Sequence, residues 1–369
     1  MSEQLREQVE RYLLEVQKPA RYVGGELHQV VKDPAAVDVR FAFCFPDVYE
    51  VGMSHLGMKI LYSSLNELPF VWCERCFAPW TDFEAVMAEH HIPLYSLESF
   101  TPLSEFDIIG FTLQYELSYT NLLQMLSLGG VPLLASERTG LENLVIAGGP
   151  CACNPEPLCD FVDIFCLGEG EQQLNDLVTL YRQAKQSGMS KKEFLLLAAR
   201  QEGIYVPSFY DVSYHEDGTV YSIQPNEDVP ARIVKKIEQN LDVSHYPDRF
   251  LVPYMEVVHD RVMEELMRGC IRGCRFCQAG FIYRPLREKT PEVVCKQARA
   301  LCDSTGYEEI SLSSLSTSDY SGIEPLLDEL LTFTEGEHIN LSLPSLRIDN
   351  FSEELLERIK KVRKSGLTF

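Results

Sequence analysis

From residue 37 onward, short apolar runs alternate with stretches of helical period, and that rhythm restricts the fold to parallel strands joined by crossover helices. VDVRFAFCF (37–45), DIIGFTL (107–113), LVIAGGP (144–150) and DIFCLGEGE (163–171) read as strands. GMSHLGMKILYSSLNEL (52–68), SYTNLLQMLSL (118–128) and EQQLNDLVTLYRQAK (171–185) place apolar residues three and four apart, as amphipathic helices do. The expectation is a doubly wound, Rossmann-like α/β domain over 37–200, with ligands beyond the carboxyl ends of its strands. The loops to watch are then 46–57, 114–118, 148–157 and 168–172.

Residues 1–36 are expected to form an N-terminal helical segment, since MSEQLREQVERYLLEVQKPA is charged and amphipathic and lacks the apolar stretch of a signal peptide. Downstream, GIYVPSFYDVSYHEDGTVYSIQP (203–225) puts β-rich runs around an Asp217-Gly218 turn signal. A hairpin and polar connector over 201–250 would mark a domain boundary. A second series then opens with VPYMEVVHD (252–260). It continues through strands EEISLSSL (308–315) and INLSLPSLR (339–347) and helices TPEVVCKQARALCDSTG (290–306), IEPLLDELLTFTEG (323–336) and SEELLERIKKVRKSG (352–366). Repeated strand-helix units suggest a (β/α) barrel, but such barrels need about 200 residues or more. Residues 251–369 are therefore expected to form an incomplete barrel, with the final Leu367-Thr368-Phe369 opening another strand. A chain that stops there would leave its last strand exposed and the site uncovered.

The formal net charge of −22 argues against a broad nucleic-acid-coating surface. No stretch reaches the apolar length of a membrane span, so a cytoplasmic chain is expected. In that reducing compartment twelve cysteines point to metal or redox chemistry before disulfides. Most read as packing: Cys44, Cys151, Cys153, Cys159, Cys166, Cys295 and Cys302 have apolar or small neighbours. Cys73 and Cys76 have the two-residue spacing of thioredoxin-like or zinc sites, yet no second pair accompanies them, and they read as incidental.

MRGCIRGCRFCQAG (267–280) is different. Cys270, Cys274 and Cys277 are separated by three and two residues. A structural zinc site wants four ligands, whereas three close thiolates suit an iron-sulfur cluster in which one iron has no protein ligand. Gly269, Gly273 and Gly280 would let the loop wrap an inorganic core. Arg268, Arg272, Arg275, Arg284, Arg287 and Lys289 read as counter-charge for an anionic cofactor.

With Phe276 before the third cysteine, this run resembles the signature of radical S-adenosylmethionine (radical SAM) enzymes. More closely, VVHDRVMEELMRGCIRGCRFCQAGFIYRPLREKTPE, FPDVYEVGMSHLGMKILY, ERCFAPWTDFE, FTLQYELSYTNLLQML and GGPCACNPEPLCDFVDIFCLGEGE resemble the family with an N-terminal cobalamin (B12)-binding-like domain, over essentially the whole chain. The resemblance implies a 4Fe-4S cluster on Cys270, Cys274 and Cys277, whose fourth iron is chelated by SAM. It implies that the reduced cluster releases a 5′-deoxyadenosyl radical. Phe276 would pack on the adenine edge. Ser313 and Ser314, with Ser316 and Thr317 beyond, would take the methionine amino group, although the usual glycine-glycine-glutamate form is absent. Ser345 and Arg347 would contact ribose and carboxylate.

In the N-terminal domain the resemblance turns Gly148, Gly149, Gly168 and Gly170 toward a corrinoid. The D-x-H-x-x-G pattern that supplies a cobalt-ligating histidine is missing. His55 alone lies near the right edge, as a cobalt contact or a helix-start residue. Asp47 and Glu50 read as ligand contacts or, more simply, as helix-capping groups, and Glu169 and Glu171 as complements to a helix dipole. The expected function is radical SAM chemistry with an electron donor such as flavodoxin or ferredoxin, extending to cobalamin-dependent methyl transfer. The alternatives are a methylthiotransferase-like RNA-modifying enzyme and a non-enzymatic iron-sulfur carrier or sensor. The substrate is not legible.

Overall fold

Near-continuous apolar runs leave a strand no solvated face, and those of the N-terminal half are buried throughout apart from the half-buried Arg40 and Gly148. The computed structural model describes residues 2–347 and divides between Ile237 and Glu238 into two compact units. In the first, α1 (Ser2–Tyr12) precedes β1 (Val39–Phe45), α2 (Tyr49–Gly52), α3 (Leu56–Glu67) and β2 (Val71–Phe77). Then come α4 (Thr81–His90), β3 (Ile108–Thr112), α5 (Tyr119–Leu128), β4 (Leu144–Gly148) and β5 (Ile164–Cys166). The unit ends with α6 (Gly170–Ser187), α7 (Lys191–Ala198), β6 (Ile204–Tyr205) and the pair β7 (Tyr210–Tyr214) and β8 (Val220–Pro225).

Six strands form one sheet in the order β2-β1-β3-β4-β5-β6, parallel except that β6 runs against β5. Phe41, Ile108, Ile109, Leu144 and Ile164 are wholly buried in it. The Asn175 amide of α6 donates to the Ser64 hydroxyl of α3 at 3.0 Å, tying two covering helices together. The hairpin β7–β8 turns at Asp217-Gly218, where Gly218 takes φ +84° and the Asp217 carboxylate accepts the Thr219 N–H at 2.9 Å.

Two features depart from the sequence expectation. Helix stops at Tyr12, and apart from short 3-10 turns the rest of 13–36 is irregular. The strand β2 carries no period-2 apolar pattern, because Glu74 and Arg75 interrupt it, yet both are wholly buried. The two facts share a cause. An edge strand exposes unpaired backbone, and the irregular N-terminal segment covers it. Lys32 donates to the Val71 carbonyl at 2.5 Å, the Trp72 indole to the Val30 carbonyl at 3.1 Å, and Arg75 to Glu26 at 2.7 Å.

The second unit holds β9 (Val262–Glu265), β10 (Met267–Arg268), α8 (Ala279–Ile282), β11 (Arg287–Glu288), α9 (Pro291–Thr305), β12 (Glu309–Ser313), α10 (Ile323–Glu337) and β13 (Asn340–Ser342). Among the described residues its sheet has three parallel strands, ordered β13-β12-β9. The expected helix 352–366 and terminal strand lie outside the described residues. Directly paired residues of a parallel sheet share a face. Val262, Ile310 and Leu341 therefore line one face, all buried, on the side of α9 and α10, whose Val294, Leu301, Leu326 and Leu330 are buried as well. The other face carries Met263, Ser311 and Ser342 in one row and Glu265 and Ser313 in the next. The carboxyl ends of these strands, where Glu265 and Ser313 stand, are where a barrel of this type places its site. Among the described residues no helix is long and apolar enough to cross a membrane.

Candidate functional site: a cysteine loop at the end of β9

The cysteine run is the connection that leaves the carboxyl end of β9. Its base is closed by the antiparallel pair β10–β11, in which Met267 faces Glu288 and Arg268 faces Arg287. Leu266 N–H donates to the Ser313 carbonyl at 3.0 Å, and Lys289 N–H to the Leu266 carbonyl at 2.9 Å, so both stems are anchored to the sheet. Gly269 takes φ +89°, and a Cβ there would lie 2.6 Å from the Pro285 carbonyl oxygen, so the stems approach too closely for any side chain.

Cys270, Cys274 and Cys277 are all partly exposed on this loop, in contrast to the buried Cys44, Cys73, Cys76, Cys166, Cys295 and Cys302. The Arg272 N–H donates to the Cys270 sulfur at 3.4 Å, and the Cys277 N–H to the Cys274 carbonyl at 3.1 Å. Gly280 stands against the Cys277 sulfur, where an added Cβ would sit at 3.8 Å. Among the described residues no three His, Cys, Asp or Glu side chains converge as a single-ion site requires. A cluster makes a different demand, because each thiolate meets its own iron and the sulfurs stand apart. Three accessible thiols on one glycine-lined loop, one already accepting an N–H, fit a 4Fe-4S cluster.

The basic residues do something other than the sequence suggests. Arg268 pairs with Glu265 at 2.9 Å, Arg272 with Asp319, and Lys289 with the buried Glu264 at 3.2 Å. Arg287 donates to the carbonyls of Glu238 and Pro285 at 2.8 and 3.1 Å. Arg268 and Lys289 thus tie the loop to β9, and Arg272 ties it to the turn after β12, rather than standing as free counter-charge; Arg275 is exposed. Burial would raise the Glu265 carboxyl, but Arg268, with Lys289 and Arg287 behind it, holds it below the ordinary carboxylate range. Burial dominates at Glu264 and pushes it up to about 7 despite Lys289.

Phe276 is 91% exposed. Ser313 ends β12 opposite Glu265 on the polar face. Ser314 and Thr317 share a hydrogen bond between hydroxyls at 2.9 Å, and Thr317 reaches the Pro344 carbonyl at 2.6 Å and, through its N–H, the Ser345 carbonyl at 3.1 Å. Ser345 is exposed with a left-handed φ of +58°, an unusual conformation for serine. The Arg347 N–H donates to the Ser318 hydroxyl at 3.2 Å. The structure therefore brings together the turn after β12 and the turn after β13. Sequence reasoning missed Glu265, Ser311, Ser342 and Asp319. For the first three the signal was strand register, which a single sequence does not carry.

In the first unit the glycine expectations change. Gly168 has φ +111°, and a Cβ would fall 2.0 Å from the Lys236 carbonyl oxygen, because Lys236 bridges onto this turn. At Gly149, φ +94°, the obstacle would be the Leu113 carbonyl at 2.7 Å, and at Gly170 the Leu61 side chain at 3.3 Å. At all three the space a Cβ would take is filled by the protein, while Gly168 itself is exposed and Gly149 and Gly170 are half-buried. Gly148 has only an ordinary contact, 3.5 Å from the Cys166 carbonyl. Gly168→Ala is expected to cost about 3 kcal/mol or more, combining a glycine-only conformation with displacement of Lys236. Gly188→Ala, at φ +69° with nothing within 4 Å, should cost about 1–2 kcal/mol. Equal losses in denaturant titrations would show that the Lys236 contact carries no weight.

His55 caps α3: its Nδ1 accepts the Met58 N–H at 3.1 Å. Burial lowers its pKa to about 4, so the ring is neutral and its proton sits on Nε2. Its one in-plane lone pair, on Nδ1, is engaged by the Met58 N–H. Asp47 accepts from the Val48 N–H at 2.7 Å and from the Tyr115 hydroxyl, linking the loops after β1 and β3. Glu50 caps nothing; it pairs with Arg21 at 2.7 Å and Lys18 at 2.8 Å. Cys73 and Cys76, three apart on β2, point to opposite sheet faces and cannot chelate together. Cys153 is exposed, unlike the packed residue expected.

Comparison with known proteins places both units. Residues 57–207 match the family described as radical SAM proteins, N-terminal, and residues 265–369 match the radical SAM superfamily. The uncharacterized protein MJ0966 of Methanocaldococcus jannaschii is 24% identical over 321 residues, 86% of this chain and 58% of that one. Threonylcarbamoyladenosine tRNA methylthiotransferase MtaB of Bacillus subtilis is 29% identical over 147 residues, 38% of this chain and 30% of its own. Among solved structures, the radical SAM methyltransferase TsrM from Kitasatospora setae, with cobalamin and a [4Fe-4S] cluster bound, aligns with a TM-score of 0.55 at 13% identity. That alignment covers 89% of this chain and 60% of TsrM. A second TsrM structure, with tryptophan and a SAM analogue, aligns at 0.52 with 13% identity over 89% of this chain and 58% of that one. The chain thus spans under two thirds of the length of these relatives. With the cysteine loop lying inside one matched region and the parallel six-stranded sheet largely inside the other, the chain belongs to the radical SAM superfamily.

Proposed function

We propose that this chain is a radical SAM enzyme that holds a 4Fe-4S cluster on Cys270, Cys274 and Cys277 and cleaves SAM reductively. When bound and reduced, the cluster supplies the electron that breaks the SAM sulfonium and yields a 5′-deoxyadenosyl radical. The chain's own residues bind and orient. The β10–β11 stem presents the thiols at the carboxyl end of β9, and Ser313 and Ser314 offer hydroxyls to the methionine end of SAM. Ser345 and Arg347, brought beside that turn, offer contacts to ribose and carboxylate. Phe276, standing out from the loop, offers an apolar surface to adenine. The observation that carries this reading is the set of three accessible thiols on one sheet-anchored loop beside a polar strand face.

The reaction class we favour is methyl transfer assisted by cobalamin, supported by the likeness to TsrM across most of the chain. His55 is engaged as the cap of α3, and no step is assigned to cobalt. An RNA-modifying activity is the second reading, supported by the 29% identity to MtaB over 147 residues. An electron carrier of the flavodoxin or ferredoxin kind would reduce the cluster. The test is anaerobic reconstitution with iron and sulfide, then assay of 5′-deoxyadenosine from SAM with reductant. Formation that depends on reductant is expected; a stable cluster without cleavage would favour a carrier or sensor. Added cobalamin, followed by its visible absorption, tests the methyl-transfer reading separately.

A further inference from the structure

We propose that Asp319 is a positioning residue that sets the register between the cysteine loop and the turns expected to contact SAM; this rests on the reading of 267–280 as a cluster loop. Asp319 ends the short turn Thr317–Asp319 after β12, and its side chain is only 5% exposed. Its two oxygens take both the Nε of Arg272, at 2.8 Å, and a terminal nitrogen of the same guanidinium. Arg272 lies between the first two cysteines, and its own N–H donates to the Cys270 sulfur. On the other side, the Ser316 hydroxyl donates to Asp319 at 2.7 Å, and the Ser316 N–H donates to the Ser314 hydroxyl at 3.2 Å. Thr317, in the same turn, holds the carbonyls of Pro344 and Ser345.

One carboxylate therefore stands where the three segments meet: the thiol loop, the Ser313–Thr317 turn and the end of β13. A carboxylate gripping a planar guanidinium at two points fixes angle as well as distance, which a single contact does not. Two groups that must react at close range depend on such alignment. The pair also neutralises Arg272, which leaves that cation to serve geometry rather than cofactor charge.

The experiment compares the chain with Asp319→Asn, Arg272→Lys and the double variant, each reconstituted anaerobically. Iron content and melting temperature report loop integrity, and the electron paramagnetic resonance spectrum of the reduced cluster is followed as SAM is added. Iron and melting temperature should match the unaltered chain. Half-saturating SAM should rise about tenfold in either single variant, and the double variant should lose little more, because both changes break one interaction. Unchanged SAM response, or additive losses, would overturn the proposal. So would loss of iron along with the response, which would make Asp319 a structural support of the loop alone. If the unaltered chain's spectrum ignores SAM, the cluster-loop reading fails first and this inference falls with it.

Discussion

Alanine at Cys270, Cys274 or Cys277, singly, is expected to drop bound iron to background and to lower 5′-deoxyadenosine formation by at least about 100-fold, more than the roughly 10–100-fold typical of losing an outer partner of a metal site. Each thiolate would hold a different iron, so no neighbour can replace it, and two cysteines on a solvent-reachable loop leave a cluster open to hydrolysis. The structure offers controls at matched chemistry. Cys73→Ala and Cys302→Ala remove buried thiols on β2 and α9, outside the cysteine loop, and should leave iron content unchanged, at the cost of a small cavity. Anaerobic iron and sulfide analysis alongside product assay reads both effects. A single loop variant that keeps full iron and full cleavage would sink the assignment of 267–280.

The parts of this molecule that were legible in the sequence are those where one physical demand dominates. Strands of the first sheet are buried on both faces, so β1, β3, β4 and β5 announce themselves as apolar runs. The strand β2 does not, because Glu74, Arg75 and two cysteines obey a different demand: they are buried in partners that come from distant parts of the chain. Nothing local in VWCERCF tells that Glu26 and Glu98 will meet Arg75. Likewise the irregular path of 13–36 follows from the edge it covers, a tertiary reason absent from its own composition.

The candidate site divides the same way. The three cysteines carry their chemistry in their spacing, and the loop was legible as a loop. The arginines were misread in role, since charge alone cannot distinguish a cation facing a cofactor from one tied to a strand-end carboxylate. Glu265, Asp319 and Glu264 absorb Arg268, Arg272 and Lys289, and only register and turn geometry reveal it. Gly168 was legible only in general terms. A glycine turn after a strand permits close approach of something, and here that something is the backbone of Lys236.

The buried network around Arg75 leads to the largest expected change in stability. Arg75 is wholly enclosed, with Glu26 at 2.7 Å, Glu98 at 2.6 Å and its N–H on the second oxygen of Glu98 at 2.6 Å. Removing the cation leaves two carboxylates in a medium that cannot solvate them, and Arg75→Met should destabilise the chain by about 3–5 kcal/mol. At roughly 2–4 °C per kcal/mol for a unit of this size, the melting temperature should fall by about 6–20 °C. Replacing all three, Arg75→Met with Glu26→Leu and Glu98→Leu, should recover most of that loss, since the penalty belongs to the unpaired charges and not to the missing bonds.

The two acids also respond to pH in opposite senses. The Glu26 carboxyl, although buried, is held below the usual range by Arg75, so its contribution is present above the ordinary carboxylate pKa and fades on acidification. Burial raises Glu98 to about 7 even beside Arg75, so its contribution is complete below about 4.5 and is lost as pH rises through about 7. Glu98→Gln should therefore flatten the fall in stability between those values, while Glu26→Gln should soften the loss in acid. Denaturant titrations at a series of pH values separate the two. An unchanged slope in Glu98→Gln would mean that Arg75 keeps Glu98 ionised and that the pH dependence arises from other groups.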